Sequence, residues 1–158
     1  MSAMNRLAVA MMATLLLVLS GCAPAKVPFL TVQFCVQNRA GVAQLITDLN
    51  AIANANQLDF ADSSADTAHD LAAVHYRGRE RADGSPVINV GLSGKDGFFV
   101  GGGNLGLPGY QVQLGFTTGS DDAESHRLAA QVIGRLKQRW RLLMLPPGAA
   151  ARPMADCR

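Results

Sequence analysis

In FLTVQFCVQ, residues 29–37, apolar and polar side chains alternate without a break. Leu30, Val32, Phe34 and Val36 share one face; Thr31, Gln33, Cys35 and Gln37 share the other. Successive side chains of a strand point to opposite sides, so this pattern is a strand with one buried face. The period then changes. From 40 to about 54, Val42, Leu45, Ile46, Leu49, Ile52 and Ala53 recur at three- and four-residue steps, the stripe of an amphipathic helix. Asn38 stands where it can cap that helix, and the 54–56 region ends it. A half-apolar strand followed by a one-striped helix calls for layers, a sheet covered on one side by helices.

Downstream, residues 59–70 are small and polar and read as a loop. Residues 72–80 read as a second strand, with Val74 and Tyr76 on one face and His75, Arg77 and Arg79 on the other. Asp83-Gly84 marks a turn, 87–92 a third strand, Lys95-Asp96-Gly97 another turn, and 98–100 the start of a fourth strand. The glycine-rich stretch 101–109 reads as a hairpin connection. Residues 110–117 form a fifth strand, with Tyr110, Val112, Leu114 and Phe116 inward and Gln111, Gln113 and Gly115 outward. Asp121 and Glu124 resemble a capping pair at a helix start, and Leu128, Val132, Ile133, Leu136 and Trp140 supply that helix's stripe. Arg135, Lys137, Arg139 and Arg141 crowd its end, where cations suit the dipole. Residues 142–145 are a candidate last strand, and Pro146-Pro147-Gly148 opens an irregular tail. The expected order is β-α-β-β-β-β-α. It predicts an α+β two-layer sandwich, a mainly antiparallel sheet of about five strands with two helices on one face, in a single domain over 29–145 and a tail over 146–158.

The N-terminal stretch carries an address. Arg6 is followed by an apolar run over 7–19 interrupted only by Thr14, the length of a signal h-region and too short to span a bilayer. Leu19-Ser20-Gly21-Cys22 closes it, and this stretch resembles the lipobox of bacterial lipoproteins. The resemblance implies a signal peptide over 1–21, cleavage before Cys22, and diacylglyceryl and acyl chains on Cys22. Stable anchoring takes more than one chain. Ala23 in place of an aspartate implies sorting to the outer membrane, facing the periplasm. Residues 22–28 form a short tether, so the domain sits close to the bilayer. With Cys22 lipidated, Cys35 and Cys157 remain as a pair, as an oxidising compartment favours. By parity Cys35 faces away from the apolar side of its strand, where the tail is able to cross and bring Cys157 to it. Two free thiols, or pairing with another chain, are the alternatives.

Composition excludes some partners. Removal of the signal lowers the formal charge from +2 by the single cation Arg6, leaving a near-neutral chain with no basic stripe for nucleic acid. Gly101, Gly103 and Gly106 satisfy GxGxxG formally, but a strand follows them where a dinucleotide site needs a helix. No HExxH, CxxC or GxSxG is present, so no metal, cofactor or catalytic set is expected beyond the covalent lipid on Cys22. The candidate partner contacts are the basic row His75, Arg77 and Arg79 and the amide row Gln33, Gln37, Gln111 and Gln113. The expected function is a non-enzymatic lipoprotein that binds a protein partner, as an accessory subunit of an envelope assembly or as an inhibitor. The competing expectations are an envelope glycan hydrolase using His75 with Asp83 or Asp96, and a glycan or small-ligand module using the 101–109 loop.

Overall fold

The alternating stretch forms β1 (Leu30–Cys35), and the residues beside it in the sheet come from far along the chain. The computed structural model describes residues 26–73 and 84–157. After β1 come α1 (Arg39–Asn56), β2 (Asp59–Asp62), α2 (Ser64–Ala73), β3 (Asn89–Ser93), β4 (Phe99–Gly103), β5 (Gln111–Thr117), α3 (Asp122–Lys137) and β6 (Leu143–Leu145), with a 3-10 turn at Ala155–Cys157. The six strands make one sheet in the order β2-β3-β4-β5-β1-β6, antiparallel at every pairing. This is the expected α+β sandwich, with six strands where about five were expected.

One face of the sheet is the core. Val32, Phe34, Val90, Leu92, Val100, Val112, Leu114 and Phe116 pack there against Leu45 and Leu49 of α1 and Leu128, Val132 and Leu136 of α3. The join between β1 and α1 is very tight. Asn38 Oδ1 accepts the Gly41 amide at 2.9 Å, and a Cβ on Gly41 would lie 1.8 Å from the Val36 carbonyl oxygen. Only glycine fits so close an approach. At α3, Asp121 caps by accepting the Glu124 amide at 3.0 Å, but the Glu124 side chain turns to Arg127 at 2.6 Å instead of completing the reciprocal pair.

The two helices are tied together by a buried carboxylate. Asp48 of α1, its side chain 1% exposed, pairs with Arg135 at 2.8 Å and Arg139 at 2.7 Å. Gln44 donates to it as well, at 3.2 Å. A charge so deeply buried persists only when paired and hydrogen-bonded on both oxygens, and this one is.

Three expectations change. The expected loop over 59–70 holds strand β2 and most of helix α2. No residue of α2 is fully buried, and its apolar residues are alanines apart from Leu71, so the stripe that would announce it is weak. Polar contacts hold it instead: Asn89 Nδ2 donates to Thr67 Oγ1 at 2.8 Å, and the Asn89 amide to Ser64 Oγ at 3.0 Å. The helices therefore number three among the described residues. The strand expected over 72–80 begins on Ala72 and Ala73, which belong to α2; its remainder lies outside the described residues. Finally, Gly101, Gly102 and Gly103 belong to β4, so the hairpin connection shortens to 104–110.

Candidate functional site

The second face of the sheet is polar and is divided in two. In register, Gln33 faces Gln113 and Cys35 faces Gln111 across β1 and β5, so the structure brings three of the expected amides together. Gln37 stands apart, exposed beyond the end of β1 with φ 64°. Gln33 Nε2 donates to Gln113 Oε1 at 3.3 Å. The other polar atoms of the pair Gln33 and Gln111 are used on the tail. Gln33 Oε1 accepts the Arg152 amide at 3.1 Å, Gln111 Nε2 donates to the Arg152 carbonyl at 2.6 Å, and Gln111 Oε1 accepts the Met154 amide at 2.9 Å. The side-chain amides thus act as a peptide strand would, gripping alternate residues of the tail. Both are fully buried beneath it. Three residues past Met154, Cys157 pairs with Cys35, with 5.4 Å between their Cα atoms.

The other half of this face is uncovered. Gly91, Gly101 and Gly115 lie side by side in register across β3, β4 and β5. The Phe99 ring folds back over Gly101, so close that a Cβ there would force the ring to move, and Pro28 lies against Gly115, where a Cβ would be tight. Beside them runs a groove of about 400 Å³, lined in part by Thr31, Gly103, Leu105, Leu107 and Gln113. The loop over it is held by Asn104, buried, whose Oδ1 accepts the Ile88 amide and whose Nδ2 donates to the Pro86 carbonyl, each at 2.8 Å. A strand, β5, follows this loop, so the formal GxGxxG has no helix N-terminus at which to hold a phosphate.

No family model and no curated protein matches this chain.

The remaining candidates stand elsewhere. His75, Arg77, Arg79, Asp83 and Cys22 lie outside the described residues. Asp96 shapes its turn, Oδ1 accepting the Phe98 amide at 3.1 Å. His126 packs edge-on against Phe29 at 4.5 Å, and His69 is exposed beside Asp70. Among the described residues no group of His, Cys, Asp or Glu is placed to hold a metal ion. The hydrogen bond from Arg127 holds the Glu124 carboxyl below the ordinary glutamate range. At the end of the sheet, β6 pairs with β1 alone among the described residues, and its Leu143 and Met144 are 37% and 42% exposed. Arg139 and Arg141, both exposed, precede it.

Sequence reading missed the Asp48 cluster and Asn104. Asp48 carried a signal, since it falls between Leu45 and Leu49 on the apolar stripe of α1, where an acid needs a partner. Asn104 carried none, being one polar residue in a glycine-rich turn.

Proposed function

We propose that this chain is a lipid-anchored outer-membrane lipoprotein that faces the periplasm and binds a protein partner. It acts without catalysis, as an accessory subunit of an envelope assembly or as an inhibitor. The anchor is supported by Leu19-Ser20-Gly21-Cys22 at the end of the apolar run. An oxidising compartment is supported by the pairing of Cys35 with Cys157.

The observation that carries partner binding is the free edge of β6. Among the described residues no strand lies beside its outer backbone groups, and Leu143 and Met144 present apolar surface there. Such an edge is a template for an added strand, with backbone hydrogen bonds supplying affinity and the alternate side chains selectivity. Arg141 beside it, exposed, favours an acidic partner segment. The basic row His75, Arg77 and Arg79 is the further contact we assign to this role.

Two measurements test the reading. Cys22→Ala is expected to leave an unlipidated precursor, seen by mass, and normal membrane retention of that variant refutes the anchor. A photo-reactive side chain at Met144, introduced in the cell envelope, is expected to yield one discrete protein adduct, with none from Gln131 on the exposed side of α3. A folded, membrane-held protein that gives no adduct at Met144 overturns the docking edge.

A further inference from the structure

Resting on the anchor proposed above, we infer that the open half of the polar sheet face lies against the bilayer, with Phe99 and Leu105 entering the headgroup layer. The tether dictates which side of the domain is close to lipid. Cys22 stands four residues before Lys26. At roughly 3.5 Å per residue, the lipid-bearing sulfur lies within about 15 Å of that lysine. The chain is fastened from there on. Lys26 Nζ donates to the Thr118 carbonyl at 3.1 Å, Pro28 lies on Gly115, and the Phe29 amide donates to the Phe116 carbonyl at 2.8 Å. The domain is therefore unable to swing this end away from the membrane.

Exposed apolar groups flank this face along β4, Phe99 opening the strand at the tether end and Leu105 following it at the far end. Val27, Phe99 and Leu105 are 70%, 46% and 51% exposed. Phe99 covers Gly101, which pairs with the Gly115 beneath Pro28, and Leu105 lines the same groove as Pro28. The patch is continuous across a glycine floor that raises no side chain between them. No acidic residue lines the groove; Lys26 lies two residues before the Pro28 that lines it, and Asp59, in register with the Ser93 that faces Phe99, lies farther out on the same face. An apolar patch rimmed by a cation, next to a covalent lipid, has the chemistry of an interfacial contact. The arrangement turns α1 and α3, on the opposite face of the sheet, toward the periplasm.

The test uses the full lipidated chain in vesicles of phosphatidylethanolamine and phosphatidylglycerol, with Trp140→Phe as background because Trp140 is the only tryptophan. Phe99→Trp and, separately, Leu105→Trp are expected to lose fluorescence when the vesicles carry brominated acyl chains, while Gln131→Trp keeps its fluorescence. Mass measurement on the same preparations reads the anchor. Lipidated protein in which neither F99W nor L105W is quenched overturns the orientation and leaves the anchor standing. Equal quenching of Q131W overturns it as well. Protection of F99W that grows with protein concentration, without lipid quenching, assigns the face to a second copy and overturns the proposal. A Cys22 that carries no lipid removes the anchor and this orientation together.

Discussion

At the scale of single residues, Asp48 is the most consequential polar group described. Arg135 reaches one of its oxygens through both Nε and Nη2, and Arg139 reaches the other. Removing the carboxylate strands two guanidinium groups, but each side chain is about 40% exposed and able to turn to water. Asp48→Ala is therefore expected to cost about 2–3 kcal/mol, below the roughly 3–5 kcal/mol of a fully buried pair. Arg139→Ala is expected to cost less, since Arg135 stays in place. Denaturant unfolding measures both, and an unchanged midpoint for Asp48→Ala refutes the assignment. Glu124 makes a second residue-scale prediction. Its pKa in the folded state is lowered, chiefly by the hydrogen bond from Arg127. A depressed carboxylate contributes at pH values above its unfolded pKa, and that contribution disappears as pH falls through the folded value. NMR titration should place Glu124 below the ordinary range, and Arg127→Ala should return it there. A midpoint indifferent to Arg127 contradicts the cause given.

Among the elements, the tail is attached through the side chains of Gln33, Gln111 and Cys35. Gln111→Ala leaves the Met154 amide and the Arg152 carbonyl without their partners, at about 1–3 kcal/mol for each buried group left unpaired. Under reducing conditions the tail of that variant should detach, read as faster exchange of the Met154 amide. Protection equal to that of the unaltered protein shows that the amides do not hold it. The disulfide acts on a larger scale. It closes a loop with a sequence separation of 122, worth about 4–5 kcal/mol in the chain-entropy model. Cys157→Ser is expected to lower stability by nearly that amount, less whatever the amides retain. Much of this element was legible in the sequence. Parity put Cys35 and the glutamines on one face, and cysteine arithmetic brought Cys157 to it. Parity does not tell a solvated face from one covered by the chain itself, so Gln33 and Gln111 read as surface although they are buried. Helix α2 was illegible for a different reason: its half-buried face, Ser64, Thr67, Ala68 and Leu71, is small or polar apart from Leu71, so its period does not stand out from a loop. The order of the strands was beyond reach because the pairing of β1 with β5 and β6 depends on contacts far apart in the chain.

For the molecule as a whole, that same distance governs how the fold is reached. β1 is the strand between β5 and β6, and Gln33 faces both Gln113 and Leu143. Neither pairing is local, so β1 waits on closure of most of the chain, and loop-closure entropy must be met before those contacts return anything. Reduced protein should therefore fold slowly, with β1 docking late. Keeping Cys35 joined to Cys157 changes the path and not the destination. The cross-link leaves β6 near β1 in the unfolded chain, because both cysteines lie within a dozen residues of those strands. Refolding from denaturant with the disulfide intact is expected to be faster than refolding of the reduced chain, while the unfolding rates differ less. Stopped-flow kinetics on the two forms decides it. Equal refolding rates mean that β1–β6 pairing forms after the rate-limiting step. The bond's stabilisation must then appear in slower unfolding, and the sheet must nucleate on the β3–β4–β5 hairpins, whose strands are neighbours in sequence and in space.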